Sequence, residues 1–327
     1  MAYPELFGDP TSSGMTTTND GAAIAWQSFG KPRKDWPTVV CCNGVGCSTF
    51  FWHYLARYFR ERGQVLIWDY RGHGDSSFPK DIRSEMTIPR MAEDLEAVLV
   101  DAKVERGVAI GHSMGAQVIL EHLRNHPGRI RGLVPLLGTY GHPLKTFFDT
   151  ALVATLFPIA YHFVRNLPYP VQAVTKFLSG SRITLPAAAI TRMVNGTTIK
   201  ASDLKAYMEN LASLDMRVFI EMANDMGKHT AEDILGAIKI PVLVMGGERD
   251  IYTPIHRSHR LHALVPGSEL LIIPGGSHAG LVEQPELINL RLEKFIKERV
   301  IAHPTYESAT ARVLDMWSEN RVAAGKP

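Results

Sequence analysis

The chain has 327 residues, of which 45% are hydrophobic and 21% are charged, and this composition excludes an intrinsically disordered protein. With 35 basic and 33 acidic residues the formal charge is only +2, which gives no general reason to expect nucleic acid or an anionic membrane as a partner. The length suits one large α/β core or two smaller domains.

The cysteine pattern and the apolar segments indicate the compartment. The cysteines are three in number and crowded together, without the spacing of a disulfide framework or a zinc site: Cys41, Cys42 and Cys47. The first residues, MAYPELFGDPTSSG, lack the basic and then apolar pattern of a secretory signal. The most apolar window, 147–164, contains Asp149 and Pro158, which argues against a transmembrane helix. We therefore expect a cytoplasmic protein without a transmembrane span.

The first predicted elements form a hairpin and then a strand. Residues 15–30 read as two strands, and the turn sequence Asn-Asp-Gly at 19–21 joins them. The apolar run TVVCC at 38–42 predicts a buried strand, followed by the loop 43–46 and a helical stretch with apolar residues at helical spacing. The hairpin is expected at one edge of a sheet that continues with this strand.

The alternation of strands and helices continues, stops and resumes along the chain. Strands are predicted around 64–70, 106–110 and 130–138, with a helix after each of the first two. Continuous apolar strands are typical of parallel sheets buried on both faces. The alternation stops between 140 and 228 and resumes with strands near 240 and 270. We predict a doubly wound, mostly parallel sheet with a helical insertion.

This reading divides the chain into four segments. Residues 1–139 and 229–300 form the two parts of the α/β core, residues 140–228 form a helical cap, and residues 301–327 form a C-terminal extension. The extension carries some apolar positions, so an extra packed helix and a frayed end stay open.

The pentapeptide Gly-His-Ser-Met-Gly at 111–115 lies between the apolar strand RGVAI and the helical pattern AQVILEHL. A serine on a sharp strand-to-helix turn needs small neighbours, and glycines two residues to either side provide the space. The hydroxyl of Ser113 is also placed at a helix N-terminus, where negative charge is stabilised. The pattern predicts a nucleophilic serine.

Two later residues supply the groups that such a serine needs. Asp250 follows an apolar strand in GGERDIYTP, and His278 lies in GGSHAGLVEQP after the next strand. A neutral imidazole can take the serine proton, and a carboxylate fixes the tautomer of that imidazole. We predict a catalytic triad of Ser113, His278 and Asp250.

These motifs, together with DYRGHGDSS at 69–77, resemble those of the α/β-hydrolase superfamily over most of the chain. The resemblance implies an α/β-hydrolase fold with a cap. It also implies an oxyanion hole made by the backbone amides of Val45 and Met114. Family members commonly carry His-Gly after the third strand, where this chain has Asn43 and Gly44. A supporting role for Asn43 through hydrogen bonds and a role as an ordinary turn residue both stay open.

The function expected from these residues is that of a serine hydrolase, of the esterase, lipase or lactonase kind. The substrate would be a small, fairly apolar carboxylic ester or lactone, cleaved through an acyl-enzyme on Ser113. We expect no cofactor, no metal and no nucleic-acid partner. The alternatives are a carbon-carbon bond hydrolase, a cofactor-free perhydrolase, a non-catalytic receptor for small ligands, and a lipase that touches a membrane surface through 147–164.

The sequence predicts structural roles for other histidines. His256, His259 and His262 share one predicted helix but lack further metal ligands, which favours a solvated helix face. His112 lies beside the nucleophile, and the turn aims it away from Ser113, which predicts a packing role.

Overall fold

The computed structural model describes residues 4–179 and 193–304, and eight strands in these ranges form one sheet. Their order across the sheet is β1-β2-β4-β3-β5-β6-β7-β8. The strand bounds are β1 Ser12–Thr17, β2 Ala23–Phe29, β3 Thr38–Cys42, β4 Val65–Trp68, β5 Gly107–His112, β6 Ile130–Leu136, β7 Leu243–Gly247 and β8 Glu269–Ile273.

The sheet is antiparallel at one end and parallel elsewhere. Strands β1 and β2 pair antiparallel, and β2 pairs antiparallel with β4, whereas every pair from β4 to β8 is parallel. The turn between β1 and β2 closes with the amide of Thr18 donating to the carbonyl of Ala22 at 2.9 Å. Gly21 in this turn has a φ of +83°, which favours glycine. The predicted edge hairpin and the mostly parallel sheet are both confirmed.

Helices cover both faces of the sheet because its central strands are apolar on both sides. Every residue of β3, β4, β5 and β6 is buried, whereas β8 at the edge is half-buried. The helix bounds are α1 Pro4–Phe7, α2 His53–Phe59, α3 Ile82–Glu85, α4 Ile88–Asp101, α5 Gly115–Asn125, α6 Leu152–Asn166, α7 Pro168–Ser179, α8 Ala201–Ser213, α9 Met216–Lys228, α10 Glu232–Leu235, α11 Ile255–Leu264, α12 Gly280–Glu283 and α13 Pro285–Phe295.

The core has one apolar cluster on each face of the sheet. Helices α4, α5 and α11 pack on one face, and helices α1, α2 and α13 pack on the other. Helix α4 is an amphipathic helix that packs one apolar face against the sheet. Met91, Leu95 and Val98 recur at helical spacing on that face and are all buried. Burying one such side chain stabilises the fold by about 1.5–3 kcal/mol.

The predicted insertion lies between β6 and β7, and its described helices are α6, α7, α8 and α9. Helix α9 packs its buried face, including Met222 and Met226, into the same cluster as α4 and α5. Within the described ranges no single helix is long and apolar enough to cross a membrane. The segments Pro143–Asp149 and Leu152–Asn166 reach that length and apolarity only as a pair, bent by 119°. Of the predicted C-terminal extension, residues 305–327 lie outside the described ranges.

Candidate active site

Ser113 lies on the turn between β5 and α5, with a φ of +55° that few non-glycine residues adopt. The two flanking glycines explain how this turn fits into the fold. A Cβ on Gly111 would collide with the backbone of Gly115, and a Cβ on Gly115 would collide with the carbonyl of Cys42. The amide of Ser113 donates to the carbonyl of Leu136 on β6 at 3.1 Å, which anchors the turn to the neighbouring strand.

The side chains of Ser113, His278 and Asp250 meet at the carboxyl ends of β5, β7 and β8. The Oγ of Ser113 is 2.9 Å from Nε2 of His278, and Nδ1 of His278 is 2.8 Å from Oδ2 of Asp250. Because parallel strands end at one edge of the sheet, residues 165 positions apart are brought into hydrogen-bond contact. This arrangement allows proton transfer from a hydroxyl to an imidazole that a carboxylate orients.

Asp250 is buried, and both of its carboxylate oxygens accept hydrogen bonds. Its Oδ1 accepts from the amides of Tyr252 and Thr253 at 2.9 and 3.0 Å, and its Oδ2 also accepts from the Thr253 hydroxyl at 2.7 Å. Burial acts to raise the pKa of Asp250, but the charge on His278 and these hydrogen bonds outweigh burial and hold the pKa below its usual range. Asp250 is therefore ionised when His278 takes a proton.

Two backbone amides, one next to Ser113 and one in the loop after β3, have no hydrogen-bond acceptor within the described ranges. Among the residues that the structure describes, the amides of Val45 and Met114 donate to no protein acceptor. Met114 is the N-cap of α5, so its amide lies at the positive end of that helix. These are the donors predicted for the oxyanion hole, and this role stays a prediction.

Asn43 supports the loop that carries Val45. Its Oδ1 accepts from Nε1 of Trp52 at 2.6 Å, its Nδ2 donates to the carbonyl of Trp68 at 3.3 Å, and its own carbonyl accepts from the Tyr70 hydroxyl at 2.8 Å. The side chain is buried and bonded on both of its polar atoms. Of the two interpretations left open by the sequence, the structure therefore shows the supporting one.

His112 packs beside the site, as the sequence predicts. Its ring stacks on Phe51 with centroids 5.4 Å apart, and its Nε2 donates to the carbonyl of His278 at 3.0 Å. Burial and the nearby His278 lower the pKa of His112 to about 3, so this ring is neutral near neutral pH. A neutral His112 adds no second charge beside His278.

A buried carboxylate that the sequence analysis missed holds the loop of His278. Glu283 accepts from the hydroxyl of Ser277 at 2.6 Å and from the amide of Asn195 at 2.5 Å. The Ser277 hydroxyl lies 3.2 Å from the carbonyl of Met193. The acidic residue five positions after His278 in SHAGLVEQP was the available signal, but its partners at 193–195 are distant in sequence. These bonds tie the histidine loop to the segment before α8.

A small cavity of about 20 Å³ opens beside His278, enough for about one water molecule. Its walls are mostly apolar, with Phe50, Phe51 and Tyr207 among them. The polar part of the wall includes Asp203 on α8, which is buried and accepts from the hydroxyl of Tyr54 at 3.0 Å. A ligand larger than water must displace some of these side chains.

The thiols of the cysteines and the histidines of α11 lie outside the hydrogen-bonded series of Ser113, His278 and Asp250. All three cysteines are buried and free, and burial raises the pKa of Cys47 to about 12, so it is a thiol. On α11, Nδ1 of His256 lies 3.4 Å from Oδ1 of Asp149, and Nδ1 of His262 lies 2.8 Å from Oγ of Ser268. Within residues 4–179 and 193–304, no group of three histidine, cysteine or acidic side chains is arranged to hold a metal ion.

Comparison with known proteins places the fold in a family. The family model described as the alpha/beta hydrolase fold matches residues 37–285, and the chain belongs to this family. The chain is similar to a protein named "Putative carbamate hydrolase RutD" from Caulobacter sp. (strain K31), at 27% identity over 82% of this chain and 93% of that protein.

Two solved structures show the same fold. The esterase from Exiguobacterium antarcticum has 17% identity and a TM-score of 0.70, covering 87% of this chain and 99% of its own. The enol-lactonase from Burkholderia xenovorans LB400 has 16% identity and a TM-score of 0.69, covering 87% and 100%. The family model and the shared fold together define the class of the protein as an alpha/beta hydrolase.

Proposed function

We propose that this protein is a serine hydrolase that cleaves a small, fairly apolar carboxylic ester or lactone through an acyl-enzyme on Ser113. The observation that carries the proposal is the hydrogen-bonded series from Ser113 through His278 to the buried, ionised Asp250. The amides of Val45 and Met114, which have no protein acceptor among the described residues, support the proposal as donors to the oxyanion of acyl transfer.

The reaction follows from the positions of the donors and acceptors. Oγ of Ser113 attacks the substrate carbonyl carbon while Nε2 of His278 takes the hydroxyl proton, and the amides of Val45 and Met114 hold the resulting oxyanion. The carbon-oxygen bond then breaks, and the alcohol leaves with the proton from His278. A water molecule repeats the sequence on the acyl-enzyme, which releases the carboxylic acid and restores Ser113.

The helical insertion is proposed as a cap over this site. Its helix α8 contacts the loop of Val45, because Nδ2 of Asn210 donates to the carbonyl of Gly46 at 2.7 Å. Tyr207 on the same helix lines the cavity beside His278. The apolar walls favour an uncharged acyl group, and the small cavity volume requires the cap or its side chains to shift when substrate enters.

The test is hydrolysis of p-nitrophenyl esters from acetate to laurate, with lactones alongside, combined with fluorophosphonate labelling. We expect turnover and labelling in the parent protein and neither in Ser113→Ala. The matched control is Ser84→Ala, which removes an exposed serine on α3. Labelling without turnover would contradict the ester proposal and favour a carbon-carbon or perhydrolase substrate. The absence of both would favour the receptor alternative.

A carbamate is the second candidate substrate, and the observation that favours it is the similarity to proteins named "Putative carbamate hydrolase RutD". The same serine would attack the carbamate carbonyl, and the same amides would hold the oxyanion. A p-nitrophenyl N-alkylcarbamate tested beside the matching ester distinguishes the two. If kcat/KM is larger for the carbamate than for the matching ester, the carbamate is the preferred substrate.

A further inference from the structure

The outer surface of helices α6 and α7 carries an unusual concentration of exposed apolar side chains. Of the fourteen large apolar side chains that are exposed in the described residues, nine lie between 152 and 178. On α6, Leu152, Leu156, Ile159 and Phe163 recur every three or four residues and therefore share one face. We call the exposed apolar side chains of α6 and α7 the cap patch.

The cap patch is not the packing face of these helices. Helix α6 packs inward through Val153, Ala154 and Phe157, which contact the core cluster that includes α9. Ile159, on the opposite side, is 68% exposed. The protein core buries only the inner apolar face of α6. The outer apolar face stays exposed, and exposed apolar surfaces of this kind mark binding sites.

The charged residues on the two helices of the cap patch have one sign. From 150 to 202 the sequence contains five basic residues and no aspartate or glutamate, although the whole chain has 33 acidic residues. Two of the basic residues lie on the patch helices, namely Arg165 on α6 and Lys176 on α7, and both are exposed. An apolar surface whose own helices carry only basic charges is electrostatically complementary to an anionic lipid surface.

The same charges disfavour the other simple occupant, a second copy of the chain. A two-fold dimer brings the same patch of both copies together, so Arg165 and Lys176 of each copy would place four cations in one apolar interface. Spanning the membrane is also disfavoured, since the 15 residues of α6 extend only about 22 Å against a hydrocarbon core of about 30 Å. Two short helices with an exposed apolar face can instead lie parallel to the membrane, in its headgroup region.

We propose that the cap patch docks the protein onto anionic membrane surfaces, with the apolar side chains of α6 and α7 in the headgroup region and Arg165 and Lys176 against acidic lipids. The surface lies close to the candidate active site. Phe148 is half-exposed just before α6 and contacts Tyr252 with ring centroids 5.3 Å apart, and Tyr252 contacts His278 at 5.1 Å. Docking therefore brings a lipid surface next to the side of the site that carries the histidine. This inference does not depend on the proposed ester hydrolysis.

The test is co-sedimentation of the full chain with vesicles of phosphatidylcholine alone and of phosphatidylcholine containing 30% phosphatidylglycerol. We expect binding to the anionic vesicles that falls about tenfold or more in the double variant Ile159→Asp/Phe177→Asp. The charge variant Arg165→Gln/Lys176→Gln should bind less tightly at low salt. The matched control is Leu290→Asp on α13, where the parent leucine is 61% exposed and lies outside the patch, and its binding should equal that of the parent.

Circular dichroism and turnover of a soluble ester report separately on folding and on catalysis in each variant. The absence of sedimentation of the parent with anionic vesicles would overturn the proposal, and so would equal loss of binding in Leu290→Asp. Sedimentation velocity tests the second copy as occupant. A dimer in the parent that becomes a monomer in Ile159→Asp/Phe177→Asp would assign the patch to self-association instead.

Discussion

Replacing Asp250 by asparagine tests the proposed mechanism most directly, because the hydrogen bonds around this carboxylate determine which way the amide must point. The two backbone amides that bind Oδ1 only donate, so the asparagine oxygen has to take that position. The NH₂ group then occupies the place of Oδ2, opposite Nδ1 of His278. Because NH₂ donates, Nδ1 must become an acceptor and the ring hydrogen moves to Nε2. In that tautomer His278 cannot take the proton of Ser113.

We therefore expect Asp250→Asn to fold normally and to lose about 10⁴-fold in kcat/KM, which corresponds to about 5 kcal/mol of transition-state stabilisation. The assay is steady-state hydrolysis of the best p-nitrophenyl ester, with thermal unfolding measured on the same samples. Thr253→Ser is the control, because it keeps the hydroxyl and the amide that bind Asp250, and it should stay within about threefold of the parent. If Asp250→Asn kept more than a tenth of the parent activity, the orienting role of Asp250 would be refuted.

Three further variants have expected outcomes. Burial raises the pKa of Asp69 to about 6, so stability is full below about pH 4 and falls by about 3 kcal/mol as the pH rises through 6. Urea unfolding from pH 4 to 7 should show this slope, and Asp69→Asn should flatten it. Glu283→Gln weakens the support of the His278 loop and should lower kcat about tenfold with little change in KM, whereas a change in KM alone would argue against positioning. Trp52→Phe leaves Oδ1 of Asn43 without its donor and should cost about 2–4 kcal/mol in urea unfolding, and an unchanged midpoint would contradict this.

Short-range patterns were enough to predict most of the fold. The Asn-Asp-Gly turn, the buried apolar strands and the helical spacing of α4 each depend on neighbours a few residues away, and the structure confirms them. The contact between Ser113 and His278 could also be predicted, because parallel strands bring the loops after their carboxyl ends to one edge of the sheet. Their catalytic roles stay predictions until the variants are measured.

Interactions between distant segments were beyond sequence reasoning. Arg71 is fully buried and binds three carboxylates, those of Asp20 in the hairpin turn, Glu85 on α3 and Asp94 on α4. The motif RGHGD is equally compatible with a solvent-exposed loop, so the sequence predicts neither the burial of Arg71 nor its three partners. The same applies to Asn43, whose partner Trp52 is identified only when the loop 43–46 and the short 3₁₀ helix Thr49–Trp52 are placed together.

The position of the insertion between β6 and β7 has a consequence for how the chain folds. Strands β1 to β6 are consecutive along the sheet and are complete at Leu136, so they can pair before the rest of the chain is synthesised. Strands β7 and β8 join the free edge of β6 only after more than a hundred further residues, and closing so long a loop is entropically slow. Ser113 belongs to the early part, whereas Asp250 and His278 arrive with the late strands. A nascent chain therefore carries Ser113 without its hydrogen-bond partners His278 and Asp250 until the last two strands dock.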